Sequence, residues 1–489
     1  MCKWRSVLDP SYRCRVPSEP NSDYCIFHKC GLKDTKRFNA AIQAQFTEEG
    51  AAAIRNPPFS FIGYWFPRGI LVVEKWETCK REEACLPDVL RNLSFSEAFI
   101  DGDLFLSGAK IEGQADLRLA QVQRNFIFTD ASAGSVALQR AQIEGNAWFQ
   151  LCRVGHVYLA GAHVHADLDF DNAEVAGSVS LSNTVIDGDA AFTQARIGGS
   201  LLLHGVTVNK GMNLLRANVG GSIHFGDARI QGDLVLQEAT IAHRLRLNLQ
   251  ELGGKLSCMD CAIGTSLWMP PPDVAVRAAN FDGCSAKHLN LKVGTPRILG
   301  WGKARCGVRI DDKASAVSFW RFAQRTYVNE GKRQQADVSF YFERIARWKE
   351  LRSVVARDGA KPAKRALARI TRWWYCFLWL LDLVFLRWTT AYGASLAHLV
   401  GTWFFVIGGF GVVYSLAPRL IGQHGACIWT LRNWINGIHY SVTTFATLGL
   451  GDFTPGPSSL GKALTSLEAL LGAILIALAV LVIGRRFMR

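Results

Sequence analysis

The sequence predicts a multidomain chain: a β-solenoid, then an α-hairpin, then an all-α membrane unit. Three observations predict it: an 11-residue repeat through the middle of the chain, a charged stretch with helical apolar spacing after it, and two long apolar runs near the end. With 489 residues there is room for several domains, and 49% hydrophobic against 20% charged residues excludes both a disordered chain and one built mainly of membrane spans. The expected divisions are 1–90, a Cys- and His-containing region that also caps the solenoid; 91–292, the solenoid; 293–372, the hairpin with a basic linker; 373–392, an interfacial slide helix; and 393–489, the membrane unit.

The 13 cysteines are too sparse, and odd in number, for a disulfide framework. Met1 to Pro20 is polar with no apolar run behind it, so no cleavable signal peptide is expected and most of the chain should stay in a reducing cytoplasm. In that setting Cys2, Cys14, Cys25 and His28 form a candidate structural zinc knot. Thiolates and an imidazole at tetrahedral geometry hold together a segment too small for its own core. Cys30 is a competing ligand, and unliganded thiols are the alternative.

The repeat reads small-x-aliphatic-x-Gly-x-Leu-x-Leu. It runs as Ala173, Val175, Gly177, Val179, Leu181, and again as Ala195, Ile197, Gly199, Leu201, Leu203. The small position recurs every 11 residues from Ala162 to Ala239, with weaker copies at Ala98, Ala109 and Cys261. Apolar and polar residues alternate within a unit, the mark of a strand with one face inward. An odd repeat length breaks that alternation along one straight strand, so the chain must turn in each unit. The repeated Gly is expected at the corner, where φ is positive. Stacked short strands with regular corners make a solenoid with a continuous core. Cys258 and Cys261 spell a CxxC, but Cys261 falls on the small position and reads as a core thiol. The zone resembles the pentapeptide-repeat proteins. That resemblance implies a four-sided, right-handed β-helix in which two 11-residue units make one coil, so about eight coils give a rod roughly 40 Å long.

After the repeat, Val317, Trp320, Phe322, Ala323 and Tyr327 recur at helical spacing. Gly331 then offers a helix stop, and Ala336, Phe340, Ile345 and Trp348 follow on a second helix. This hairpin is expected to cap the solenoid's open end and to transmit force from it.

Residues 394–414 carry no Lys, Arg, Asp or Glu, and residues 463–483 are apolar apart from Glu468, so each is long enough to span a bilayer. Between them lie a short helical segment, Trp434 to Phe445, and a Gly-punctuated loop, which is the layout of a re-entrant pore. The loop reads Thr447-Leu448-Gly449-Leu450-Gly451-Asp452 after Tyr440-Ser441-Val442-Thr443-Thr444. Over residues 390–486 the sequence resembles the two-transmembrane potassium channels, whose filter is Thr-x-Gly-Tyr-Gly-Asp. The resemblance implies a homotetramer in which four loops present successive carbonyls to dehydrated potassium ions. Gly449 and Gly451 permit the alternating backbone this needs, Thr447 adds an inner site, and Asp452 favours cations outside it. Leu450 departs from the family's hydroxyl-bearing aromatic, which leaves potassium-over-sodium selectivity less braced. Gly472 in the second span is a candidate gating hinge.

Basic residues before the first span and at Arg485, Arg486 and Arg489 place both termini in the cytoplasm of an inner (plasma) membrane protein. The bases within 361–372 suit anionic lipid, and residues 373–388, apolar but only 16 long, suit the membrane interface. The net charge of +14 does not lead to a nucleic-acid reading, because DNA mimicry by such rods requires a strongly acidic surface. No phosphate loop, GxSxG or HExxH is present, so no enzyme is expected. The leading expectation is a potassium or cation channel whose solenoid gates it or docks an unidentified cytoplasmic ligand or protein. The alternative is a non-conducting, membrane-anchored scaffold.

Overall fold

A computed structural model describes residues 2–12, 14, 17–20, 22–30, 34–42, 59–72, 84–270, 274–291, 309–358, 396–422, 430–447 and 458–487. The expected slide helix, the basic stretch 361–372 and the loop residues Leu448 to Asp452 lie outside the described residues. The chain divides into two compact units, one holding residues 1–292 and 306–331 and the other residues 293–305 and 332–489.

The first unit is a β-solenoid of about nine coils over residues 89–290, preceded by strands of residues 59–72 that pair onto its start as a first coil. Each coil carries short strands on four sides. In one coil these are Glu174–Val175, Val179–Ser180, Val185–Ile186 and Ala190–Ala191. Each pairs in parallel with the strand 22 residues on, as in Val175↔Ile197, Val179↔Leu201, Ile186↔Val208 and Ala190↔Met212. Two 11-residue units therefore close one coil. The interior is a set of residue columns: Phe149, Phe170 and Phe192 stack with ring centroids 4.4 and 5.0 Å apart. The small positions, Ala173, Ala195, Ala217 and Ala239, are buried beside them. Cys258 and Cys261 are wholly buried in the same core, as their register required.

The corners differ from expectation. Positive φ falls on the residue before each small position, and that residue is mostly not glycine: Asn172, Asn183, Gln194, Arg216, Asp227 and Glu238 all have φ between 54° and 58°. The repeated glycines serve close coil-to-coil approach instead. A Cβ on Gly199 would sit 2.7 Å from the Gly177 carbonyl carbon, and one on Gly221 would sit 2.6 Å from the Gly199 carbonyl oxygen. A residue with a side chain there would push successive coils apart.

Helix α1 (Lys313–Asn329) covers the end of the solenoid. Asp312 caps it by accepting from the Ser315 amide at 2.8 Å. Its buried residues, Val317, Phe319, Trp320, Phe322, Ala323 and Tyr327, recur at the predicted spacing. Phe319 and Phe322 pack on Phe281 with centroids 5.2 and 5.5 Å apart. Gly331 takes φ 71°, the left-handed stop after the helix.

The second unit holds α2 (Arg333–Asp358), α3 (Leu396–Leu416), a single 3-10 turn (Pro418–Ile421), α4 (Leu431–Phe445) and α5 (Ser459–Phe487). Leu399–Leu416 and Ser459–Gly484 are long and apolar enough to cross a membrane. Their outer faces expose Phe404, Phe405, Val480 and Leu481, side chains suited to lipid or to a neighbouring subunit.

Candidate functional site

The short helix α4 is held between the two apolar helices by small and hydroxyl residues rather than by bulk. Its inward positions are Asn433, Gly437, Tyr440, Ser441, Thr443 and Phe445. Gly437 lets α4 approach α3 so closely that a Cβ would collide with Ser415 Oγ, and Gly411 answers from α3 with Ile438 Cα 3.2 Å from where its own Cβ would stand. Such small-residue crossings are how helices pack where lipid removes the hydrophobic drive. The Asn433 amide donates to the Ser415 carbonyl at 2.6 Å, and the Tyr440 hydroxyl lies 3.1 Å from Thr465 Oγ1 on α5. Tyr414, Ile421 and Tyr440 form the small core that these bonds surround.

At the centre is Glu468, whose carboxylate is wholly buried. It accepts from the Tyr414 hydroxyl of α3 at 2.8 Å and from the Ser441 hydroxyl of α4, while Ser441 also lies 2.9 Å from the Ile407 carbonyl. One acidic group thus ties all three helices together. The sequence marked it only as an interruption of an apolar span. Its partners lie 54 and 27 residues away and carry no signal of their own.

Helix α4 ends at Phe445, and the sequence motif begins two residues later. Thr447 takes φ 53°, a conformation that β-branched residues rarely adopt, and its hydroxyl donates to the Ala446 carbonyl at 2.8 Å. The other predicted filter residues lie outside the described residues. Gly472, the predicted hinge, sits within the continuous helix α5, where an added Cβ would collide with the carbonyl oxygen of Phe445. Its lack of a side chain lets α5 close against the C-terminal end of α4.

The four predicted metal ligands come together. The sulfurs of Cys2, Cys14 and Cys25 and a ring nitrogen of His28 lie within 4.8 Å of one another, all buried. Cys14 and Cys25 Sγ are 3.8 Å apart, and Cys2 Sγ lies 3.6 Å and Cys25 Sγ 3.1 Å from His28 Nδ1. Zinc bonds of about 2.3 Å to sulfur and 2.0–2.1 Å to nitrogen require tetrahedral edges of about 3.8 and 3.6 Å, so this donor set fits the ion. The opposite nitrogen of His28, Nε2, donates to the Ile62 carbonyl at 3.1 Å, which leaves Nδ1 with a free lone pair for a metal. The Cys14 sulfur and burial push the Cys25 thiol up to about 11, so without a cation the thiolate is disfavoured. Cys30 is exposed and stands outside the cluster. The knot is seated on the first coil, where the Trp65 amide donates to the Phe27 carbonyl at 2.7 Å and Glu97 accepts from the Val7 and Leu8 amides at 2.8 and 2.7 Å.

A family model described as an ion channel matches residues 401–489, which takes in most of α3, all of α4 and all of α5. No curated protein and no solved structure matches the chain. The chain is therefore a fusion in sequence: a β-solenoid followed, over residues 401–489, by a segment that matches an ion-channel family model and holds two helices long and apolar enough to cross a membrane.

Proposed function

We propose that this chain is the subunit of a homotetrameric, potassium-conducting channel, with Thr447, Leu448, Gly449, Leu450, Gly451 and Asp452 as its filter. The observation that carries the reading is where the motif falls. It begins two residues past a short helix wedged between two helices long and apolar enough to cross a membrane, and a helix C-terminus presents partial negative charge to a cation. Gly-punctuated sequence of this kind, if non-helical within a membrane, would be stable only when buried in protein or lining water, which favours four copies around one axis. Both termini face the cytoplasm of the inner membrane, and the bases of 361–372 meet anionic lipid there. The solenoid acts as the gating or docking module, with Gly472 where a bend of α5 would release its contact on α4. Zinc at Cys2, Cys14, Cys25 and His28 is structural: it clamps the N-terminal segment onto the first coil, closing an edge that would otherwise be open.

Reconstituted protein tests the reading. Potassium-dependent current from wild type that disappears in Gly449→Ala supports it. A protein that stays silent while remaining tetrameric and folded favours the anchored scaffold.

A further inference from the structure

The solenoid wall carries a second cluster of metal-ligating side chains, well away from the N-terminal knot in sequence. Coil stacking builds it. His163 and Val164 pair with Val185 and Ile186 on the next coil, so the residues that follow, His165 and Asp187, come into line one above the other. His163 and His165 are two apart on one strand edge and project together, with ring centroids 3.7 Å apart. Both turn a nitrogen toward the same carboxylate oxygen: Asp187 Oδ2 lies 3.0 Å from His163 Nε2 and 3.2 Å from His165 Nδ1. The three donor atoms lie within 4.8 Å of one another.

Polar side chains of the neighbouring coils surround the three. The far nitrogen of His165, Nε2, lies 3.6 Å from the Glu144 carboxylate, and the other oxygen of Asp187 accepts from the Asn209 amide at 2.8 Å. The Asn209 bond holds one Asp187 oxygen and leaves the other facing the two imidazoles, as outer partners of metal-binding carboxylates do, while Glu144 is near enough to attract the far side of the His165 ring without a hydrogen bond. A hydrogen-bond ladder along this column needs only one imidazole, and here a second, His163, reaches the same carboxylate from two residues earlier. The donor separations match adjacent positions in a shell of nitrogen and oxygen ligands at about 2.0–2.2 Å. About one third of each side chain is exposed, so water can take the remaining positions.

We propose that His163, His165 and Asp187 bind a divalent transition-metal ion on the outer wall of the solenoid, with Glu144 and Asn209 as positioning residues. Two imidazoles and one carboxylate suit zinc, cobalt, nickel or ferrous iron, whereas calcium and magnesium take oxygen ligands. The site joins two coils across the stacking direction, so occupancy stiffens the middle of the rod. This inference does not depend on ion conduction.

The test is cobalt titration of untagged, chelator-stripped, full-length protein in detergent. Wild type should take up two classes of Co2+: one with thiolate-to-cobalt charge transfer from the N-terminal knot, and one with ligand-field bands alone. His163→Gln with His165→Gln should abolish the second class and keep the first, whose persistence also reports that the variant is folded. Glu144→Gln should weaken the second class by about 10- to 100-fold. Wild type that binds cobalt only with the charge-transfer signature would overturn the assignment, as would a second class unchanged in the double variant.

Discussion

Removing the Glu468 carboxylate should loosen the three-helix unit. In Glu468→Ala the wholly buried Tyr414 loses its acceptor, and an unsatisfied buried hydroxyl costs about 1–3 kcal/mol. Ser441 loses one bond but retains the Ile407 carbonyl at 2.9 Å, so its share is smaller. The missing side-chain atoms leave a cavity worth about 1 kcal/mol more. The sum is about 2–4 kcal/mol. Glu468→Gln keeps the volume and one acceptor oxygen and should cost about 1 kcal/mol. Tyr414→Phe removes the donor from the other side, and the Tyr414→Phe, Glu468→Ala double variant should be less destabilised than the two singles summed, because they remove one shared bond. Denaturant unfolding of the protein in detergent micelles, followed by tryptophan fluorescence, measures the series. Glu468→Ala within about 0.5 kcal/mol of wild type, or strictly additive singles, would refute the bridging role.

Other consequences can be checked separately. Gly472→Ala forces α5 away from the Phe445 carbonyl and should destabilise the unit by about 1–3 kcal/mol, read in the same unfolding assay. In the solenoid, Phe170→Ala empties the centre of a ring column and should cost about 3–5 kcal/mol in chemical unfolding. Gly199→Ala should destabilise by about 1–3 kcal/mol, whereas Asn183→Gly, at φ 56°, should leave stability within about 0.5 kcal/mol. Chelation, or Cys25→Ser, should expose the first 30 residues to protease while the coils beyond the first stay protected, as limited proteolysis with mass mapping would reveal.

The solenoid was legible because its period is geometric. A strand alternation of two broken every 11 residues leaves little but a stacked coil, and the pairing Val175↔Ile197↔Val219 reproduces that register. The role of the repeated glycines was misread because positive φ and close approach leave the same trace in a sequence. Only the stacked backbone shows that Asn172 and Asn183 take the left-handed corners while Gly199 and Gly221 face the coil beneath. The Cys and His cluster was readable from its chemistry, but the Ile62 carbonyl that sets the His28 tautomer was not. Glu468 stood out by polarity alone, since its hydroxyl partners look like ordinary helix residues. The His163, His165 and Asp187 cluster was missed for a simpler reason: it appears only when the sequence is wrapped at the coil length, which puts residue 165 beneath residue 187.

Everything proposed for the membrane unit depends on selective conduction through the segment that follows α4. Reversal potential in planar bilayers, measured with the full-length protein under a potassium gradient, tests it most directly. A tenfold gradient should move the reversal by about 59 mV toward the potassium equilibrium value, and Gly449→Ala should abolish the current. Current that reverses at zero, or current indifferent to Gly449→Ala, would contradict the account.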